Sequence, residues 1–433
     1  MSEWKEVTIG EIAEVKTGPF GSALLNEQYI QGGTPVITVE HIKDFRISQL
    51  DYPSVTDEDK DRLSSYTLEE GDIVFSRVGS VDLSAIALKE NIGWLFSSRM
   101  LRVRPDRKLI DPLYLSYYLR LYGVRKYINN IAVGSTMPSI NTQILKSIPV
   151  IHCELSEQKE IAKALSSLDQ KITLLQEQNQ TLEELAQTLF KRWFVEFEFP
   201  ISEEQAAAMG NPDLVGQPYK SSSGKMTASE LGEIPEGWTL STIGENVETL
   251  GGGTPSTQEP AYWENGEIFW YSPTDLTKSN SMFSNSSSKK ISELGLQKSS
   301  AKLFPAYSIL MTSRATVGEI TINTSEACTN QGFITLIPNE KISLFFLYDW
   351  LKTKLSTVHN LASGSTFPEI SKTDFRNMEV LIGTSQIHQH FDESMKPIFK
   401  SIENNTNEIQ SLTELRDTLL PKLMSGELRP NII

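Results

Sequence analysis

Two polar loops of similar composition stand 230 residues apart in the chain: Gly134-Ser135-Thr136-Met137-Pro138 and Gly364-Ser365-Thr366-Phe367-Pro368. Ser135, Thr136, Ser365 and Thr366 offer hydroxyls beside backbone N–H groups, a combination that can hold a phosphate. The same residues could equally cap a helix or dock a protein. Both halves keep them, so they should not tell one nucleotide sequence from another. Arg77 and Arg314 each follow a short apolar run that ends in serine, which puts both on polar tips beyond predicted buried strands. A guanidinium there can fork onto guanine O6 and N7 or clamp a phosphate; a salt bridge within the fold is the competing use. The remaining cationic candidates differ between the halves. They are Lys16 and Thr17 at the first Gly-rich turn, Lys43 and Arg46 after a predicted strand at 34–42, and Lys278, Lys289 and Lys290 in a Ser/Asn/Lys-rich stretch. Such differences suit the reading of two different targets, although a charged loop is often only solvated.

These residues suggest recognition and not catalysis. His388 and His390 are two apart and do not share a helical face. The sequence holds no His-Glu-x-x-His pattern, phosphate-binding Gly-rich loop or nucleophile elbow. Gly251-Gly252-Gly253 runs into Thr254-Pro255, which is turn chemistry, and the Asn/Asp-Pro-Pro-Tyr/Phe motif of an adenine methyltransferase is missing. Cys153 and Cys328 have neither metal-site spacing nor a disulfide framework and fit a reducing compartment. With no signal-peptide pattern and no apolar run approaching a membrane span, a cytoplasmic protein is expected. The net charge of −15 opposes a generic nucleic-acid binder. Its distribution softens that objection: residues 1–150 carry 17 Lys/Arg against 19 Asp/Glu, and residues 236–380 carry 11 against 15.

The candidates sit in two similar α+β heads. In the first, TPVITVEHI, the run Ile73–Phe75, SAIALKE and SSRMLRVRP are predicted strands. Residues 111–132 read as one amphipathic helix with Pro112 in its first turn, Gly123 as its weak point, and Tyr114, Tyr117, Tyr118 and Tyr122 mainly in the core. The second head repeats the order. Trp238 matches Trp4, Arg314 matches Arg77, residues 342–362 match the Tyr-rich helix, and residues 277–300 are an insertion expected to project as a loop.

A long heptad helix follows each head. Ile161, Leu165, Leu168, Ile172, Leu175, Asn179, Leu182, Ala186, Leu189 and Trp193 alternate spacings of four and three. Phe391, Met395, Ile398, Ile402, Asn405, Ile409, Leu412, Arg416, Leu419 and Leu423 repeat that rhythm 230 residues on. Each rod should reach about 55 Å. A lone rod would expose its stripe, so an intramolecular antiparallel coiled coil is expected, with Asn179 and Asn405 fixing register. Pro421 should kink or fray the second rod. The domain boundaries read as a first head at 1–153, a long helix at 154–198, a linker at 199–235, a second head at 236–382, and a second long helix with a tail at 383–433.

Taken in order, several segments resemble the specificity subunit of type I restriction–modification systems. They are the Trp-led segments at 4–10 and 238–244, Gly-Asp-Ile-Val-Phe-Ser-Arg at 71–77, the two Gly-Ser-Thr-x-Pro loops, the helices starting near Ser156 and Ser385, and LTELRDTLLPKLMSGELR at 412–429. The second copy of the 71–77 block is degraded to Ala-Tyr-Ser-Ile-Leu-Met-Thr-Ser-Arg at 306–314. The resemblance covers essentially the whole chain. It implies two target recognition domains reading the halves of a split, asymmetric sequence in double-stranded DNA, with the paired helices as spacer. It also implies a non-catalytic chain that binds two methyltransferase subunits and two restriction–translocation subunits. S-adenosylmethionine, ATP and magnesium would belong to those partners, with no cofactor in this chain. Two alternatives remain. One is an adaptor that holds two protein partners without reading bases; the other is the recognition subunit of a related methylation-based defence system.

Overall fold

The computed structural model describes residues 4–19, 23–48, 51–134, 136–279, 281–364 and 368–430. The chain forms two compact units, one of residues 1–172 with 411–433 and the other of residues 173–410. The long helices Leu155–Phe194 and Ser385–Met424 each contribute one part to each unit.

The first unit contains β1 (Lys5–Thr8), β2 (Ala13–Thr17), β3 (Thr34–Ile37), β4 (Ile42–Lys43), β5 (Arg46–Ile47), β6 (Ser54–Val55), β7 (Ile73–Ser76), β8 (Ser84–Ile86), β9 (Leu95–Phe96), β10 (Met100–Pro105) and β11 (Pro149–His152). Among the described residues one sheet has the order β2-β10-β7-β8-β5-β4, a second β6-β3-β9, and β1 pairs with β11. Central β7 is buried along its whole length, which explains its uninterrupted apolar run before Ser76. The helix Pro112–Arg120 covers this core with Asp111 as its N-cap, accepting from the Tyr114 N–H at 3.0 Å.

The second unit opens with the hairpin β12 (Met226–Ser229) and β13 (Gly232–Pro235). Its head holds β14 (Thr239–Thr242), β15 (Glu248–Gly251), β16 (Ile268–Tyr271), β17 (Phe283–Ser284), β18 (Lys289–Ile291), β19 (Ile309–Thr312), β20 (Ile320–Asn323), β21 (Ala327–Thr329), β22 (Phe333–Ile337) and β23 (Glu379–Ile382). The sheets run β15-β22-β19-β20-β17 and β18-β16-β21, with β14 on β23. The parallel pair β3–β9 has its counterpart in β16–β21. Two similar mixed heads, each leading into a long helix, are therefore the architecture.

Every seam position of both helices is buried or half-buried. In the second unit Asn405 Nδ2 donates to Asn179 Oδ1 at 2.9 Å, and Phe190 meets Phe391 with ring centroids 6.0 Å apart. In the first unit Arg416 bonds Asp169 at 2.9 Å, and Arg429 pairs with Glu157. Asp169 is a buried hub. Its carboxylate also accepts from Tyr117 Oη and Arg120 Nη1, both at 2.8 Å, while its carbonyl accepts from Arg46 at 3.0 Å. Burial alone would raise its pKa, but the charge of Arg120 and the bonds from Arg416, Tyr117 and Arg120 hold it below the usual carboxylate value.

Several expectations are corrected. Residues 111–132 form two helices, Pro112–Arg120 and Tyr122–Ile131, with the break at extended Leu121 and not at Gly123. Tyr114, Tyr117 and Tyr118 are core, but the break turns Tyr122 outward, where it is 80% exposed. Residues 277–300 do not project: β17 and β18 join the two sheets, and Asp275 and Ser287 bond the backbone of Ser288 and Trp270. The linker at 199–235 holds one short α-helix, Glu203–Ala208, and its Phe199 stacks on both Tyr219 and Trp238. The second long helix continues through Pro421, and through Pro397. Both prolines are exposed, where a carbonyl deprived of its N–H partner can be hydrated.

Candidate nucleic-acid interface

In the first head, four segments converge where the central strands end. Arg77 follows β7, and its N–H donates to the Arg99 carbonyl at 2.8 Å while its guanidinium reaches the Ser98 carbonyl at 3.3 Å. Gly79 N–H donates to the Pro138 carbonyl at 2.8 Å, and Val78 bridges Ser139, which ties in the Gly-Ser-Thr loop. Gly18 N–H donates to the Met100 carbonyl at 3.1 Å, and a Cβ on Gly18 would collide with the Ser97 carbonyl. The turn after Thr17, the Arg77 tip, the Ser97–Arg99 turn and the loop with exposed Thr136 thus share one end of the sheet. Their described residues include two arginines and no carboxylate, against the chain's net charge of −15.

The second head builds the same framework with other side chains. Ser313 N–H donates to the Gly332 carbonyl at 2.8 Å, and Ala315 N–H to the Pro368 carbonyl at 2.9 Å. Thr254 Oγ1 donates to Gln331 Oε1 at 2.7 Å. Exposed Arg314 lies 3.8 Å from Glu369 across an isolated bridge. Beside this end, the Lys372 ammonium stands 3.3 Å from where a Cβ on Gly251 would be. Burial, then the like charges of Lys302 and Arg376, lower its pKa. Such a cationic group suits a phosphate.

The two arginines are not counterparts. The bridge Val78–Ser139 matches Arg314–Glu369, and Arg77 N–H occupies the bonding position of Ser313 N–H. The repeated Ser-Arg string is therefore offset by one residue, and in extended backbone such a slip sends a side chain to the opposite face.

Other candidates lie elsewhere. Lys16 donates to the Ser65 carbonyl at 2.9 Å and sits over Tyr66. Lys43 and Arg46 flank a two-residue turn of positive-φ residues, Asp44 and Phe45, and Arg46 is directed to the long helix. Lys278 is on the helix Pro273–Ser279, while Lys289 and Lys290 on β18 lie over Trp263 and Phe269. Ser135, Ser365 and Thr366 fall outside the described residues. Arg99, Asn330 and Gln331 escaped the sequence reading; the one available signal was a short stretch without apolar side chains directly before each of the strands β10 and β22, Ser-Ser-Arg and Asn-Gln-Gly.

Burial raises the thiol pKa of both Cys153 and Cys328 to about 12. No group of three metal-ligating side chains occurs among the described residues, and none of the described helices is long and apolar enough to cross a membrane.

The family model for the Type I restriction modification DNA specificity domain matches residues 1–184 and 235–414. The chain is 26% identical to the HindI specificity subunit of Haemophilus influenzae, with 99% of this chain and 100% of that one covered. It is 27% identical to the MjaIX specificity subunit of Methanocaldococcus jannaschii, with 99% and 94% covered. The crystal structure of a type I S subunit from M. genitalium has a similar fold, with a TM-score of 0.58 at 17% identity over 98% of this chain and 96% of that one.

Proposed function

We propose, from the premise that this chain belongs to the type I restriction–modification DNA specificity family, that it reads a bipartite, asymmetric sequence in double-stranded DNA, one half-site per head. The observation that carries this reading is the loop cluster. The backbone frame recurs in both heads, with Arg77, Ser98 and Arg99 in one and Arg314, Asn330 and Gln331 in the other. A common frame serves a common task, and different side chains serve different sequences.

The long helices act as an antiparallel coiled-coil spacer. The pairs Asp169–Arg416 and Glu157–Arg429 in one unit, and Asn179–Asn405 and Phe190–Phe391 in the other, support opposed directions. The chain works without its own catalytic site. It positions two methyltransferase subunits that use S-adenosylmethionine, and two restriction–translocation subunits that use ATP and magnesium, in the cytoplasm. The test is binding of the chain with its methyltransferase partner to a randomised duplex library. Enrichment of two short motifs at one fixed separation supports the reading. Binding that is indifferent to sequence refutes it and favours a protein adaptor.

A further inference from the structure

We infer that the turns entering β10 and β22 are the base-reading elements of the two heads, with Arg99 reading a guanine and Gln331 reading an adenine. The assignment rests on the DNA-reading function proposed above and adds the residues and the base chemistry.

The two turns occupy equivalent places. Each leaves the parallel strand of the three-stranded sheet, β9 or β21, and enters a strand paired on both sides, β10 or β22. Their backbones are fixed. The Arg99 and Gly332 carbonyls accept from Arg77 and Ser313, Met100 N–H returns to the Ser97 carbonyl at 3.0 Å, and Gly332 N–H donates to Asn330 Oδ1 at 2.9 Å. A side chain on such a platform can be aimed at a base edge with little ordering cost.

Within the shared frame, these turns differ most in chemistry: Ser-Ser-Arg against Asn-Gln-Gly. Arg99 is exposed, and its guanidinium makes no hydrogen bond or ion pair among the described residues. The neighbouring Arg77 is directed to the Ser98 carbonyl, so it braces the turn. Gln331 is exposed, and Thr254 orients its amide while leaving Nε2 and a second Oε1 lone pair available. A guanidinium forks onto guanine O6 and N7, and a glutamine amide pairs with adenine N6 and N7. Arg314 faces the Glu369 carboxylate and is less suited to an acceptor edge.

The experiment is selection from a randomised duplex library by the chain in complex with its methyltransferase, as wild type, Arg99→Ala and Gln331→Ala, with unfolding temperatures measured in parallel. Arg99→Ala should relax one G·C position of one half-site, and Gln331→Ala one A·T position of the other. Each should lose roughly 5- to 150-fold in discrimination at that position, with the remaining positions unchanged. A wild-type split motif that both variants leave intact overturns the loop assignment alone. A uniform loss across both half-sites, or a fall in unfolding temperature that accompanies the loss, also overturns it, because it makes the residues structural. A wild-type complex with no split motif overturns the parent reading and this one together.

Discussion

Replacing Asp169 by alanine isolates the feature that most distinguishes the first unit's interior from the second's. The carboxylate is 7% exposed and bonded to Tyr117, to Arg120 at 8% exposure and to Arg416 at 25%. Its removal takes the carboxylate from the buried Arg120 guanidinium and the Tyr117 phenol, while Arg416 keeps Asp417 at 2.7 Å. Breaking one side of a buried ion pair costs about 3–5 kcal/mol. Against a typical domain stability of roughly 5–15 kcal/mol, that is a large share. The second repeat has Phe399 and Ala186 at the helix positions of Asp169 and Arg416, so an apolar solution exists in the same chain. A variant carrying Asp169→Leu, Arg120→Met and Arg416→Ala should therefore recover most of the loss. Urea unfolding followed by tryptophan emission measures each difference. The sign with pH is also set. A carboxylate whose folded pKa is depressed contributes fully above its unfolded value of about 3.9 and loses that contribution as pH falls through the folded pKa. The penalty of Asp169→Asn should shrink with acidification over that window. A loss below about 1 kcal/mol for Asp169→Ala, the value of a surface pair, would refute the hub. So would a triple variant no more stable than the single one.

Other expectations follow from the interior of the second unit. Asn179→Leu should orphan the Asn405 amide and cost about 1–3 kcal/mol, whereas adding Asn405→Leu should restore stability and broaden the DNA half-site separations accepted in a spacer-length series; full stability of the single variant would count against the pair. Among the described residues both buried Asp349 oxygens have no hydrogen-bond partner, and burial, then the charge of Glu183, raises its pKa well above the usual value despite Lys352. Its favourable contribution is present below about pH 3.9 and is lost as pH rises through the folded pKa, so Asp349→Leu should stabilise most at neutral pH, and a destabilised variant at pH 7 would contradict this. Burial against Phe194 and Phe346 depresses His388 to about 4 from 6.5, so its contribution, about 3 kcal/mol at 1.36 kcal/mol per pK unit, is present above pH 6.5 and lost as pH falls towards 4. An imidazole proton resonance titrating near 6.5 in the folded protein would show that reasoning to be wrong.

The long helices were legible because a heptad stripe is a local signal, and the structure buries or half-buries each residue it named. The paired asparagines were also visible, since a polar residue in an apolar seam stands out. The sheets were readable only as separate strands. Their joining depends on parallel contacts between distant segments, such as β3 with β9, which no local pattern encodes. For that reason Arg99 and Gln331 escaped notice: each is an ordinary polar residue in a turn until the crossover places it beside the Arg77 or Ser313 tip. The Arg77–Arg314 equivalence failed for a related reason. Matching the Ser-Arg string aligned letters, whereas strand pairing fixes the register one residue away. In 277–300, serine and asparagine suggested solvent, but Ser287 Oγ accepts from the Trp270 N–H of β16, and the Asn285 amide donates to Asn407 on the long helix at 3.0 Å.

The most direct test of the central claim is to map methylated adenines in DNA from cells that make the chain with its methyltransferase, and again after deletion of its gene. The account predicts an asymmetric motif split into two short halves, present with the chain and lost without it. Methylation that shows no split motif, or a motif indifferent to the deletion, would contradict the claim that this chain reads DNA.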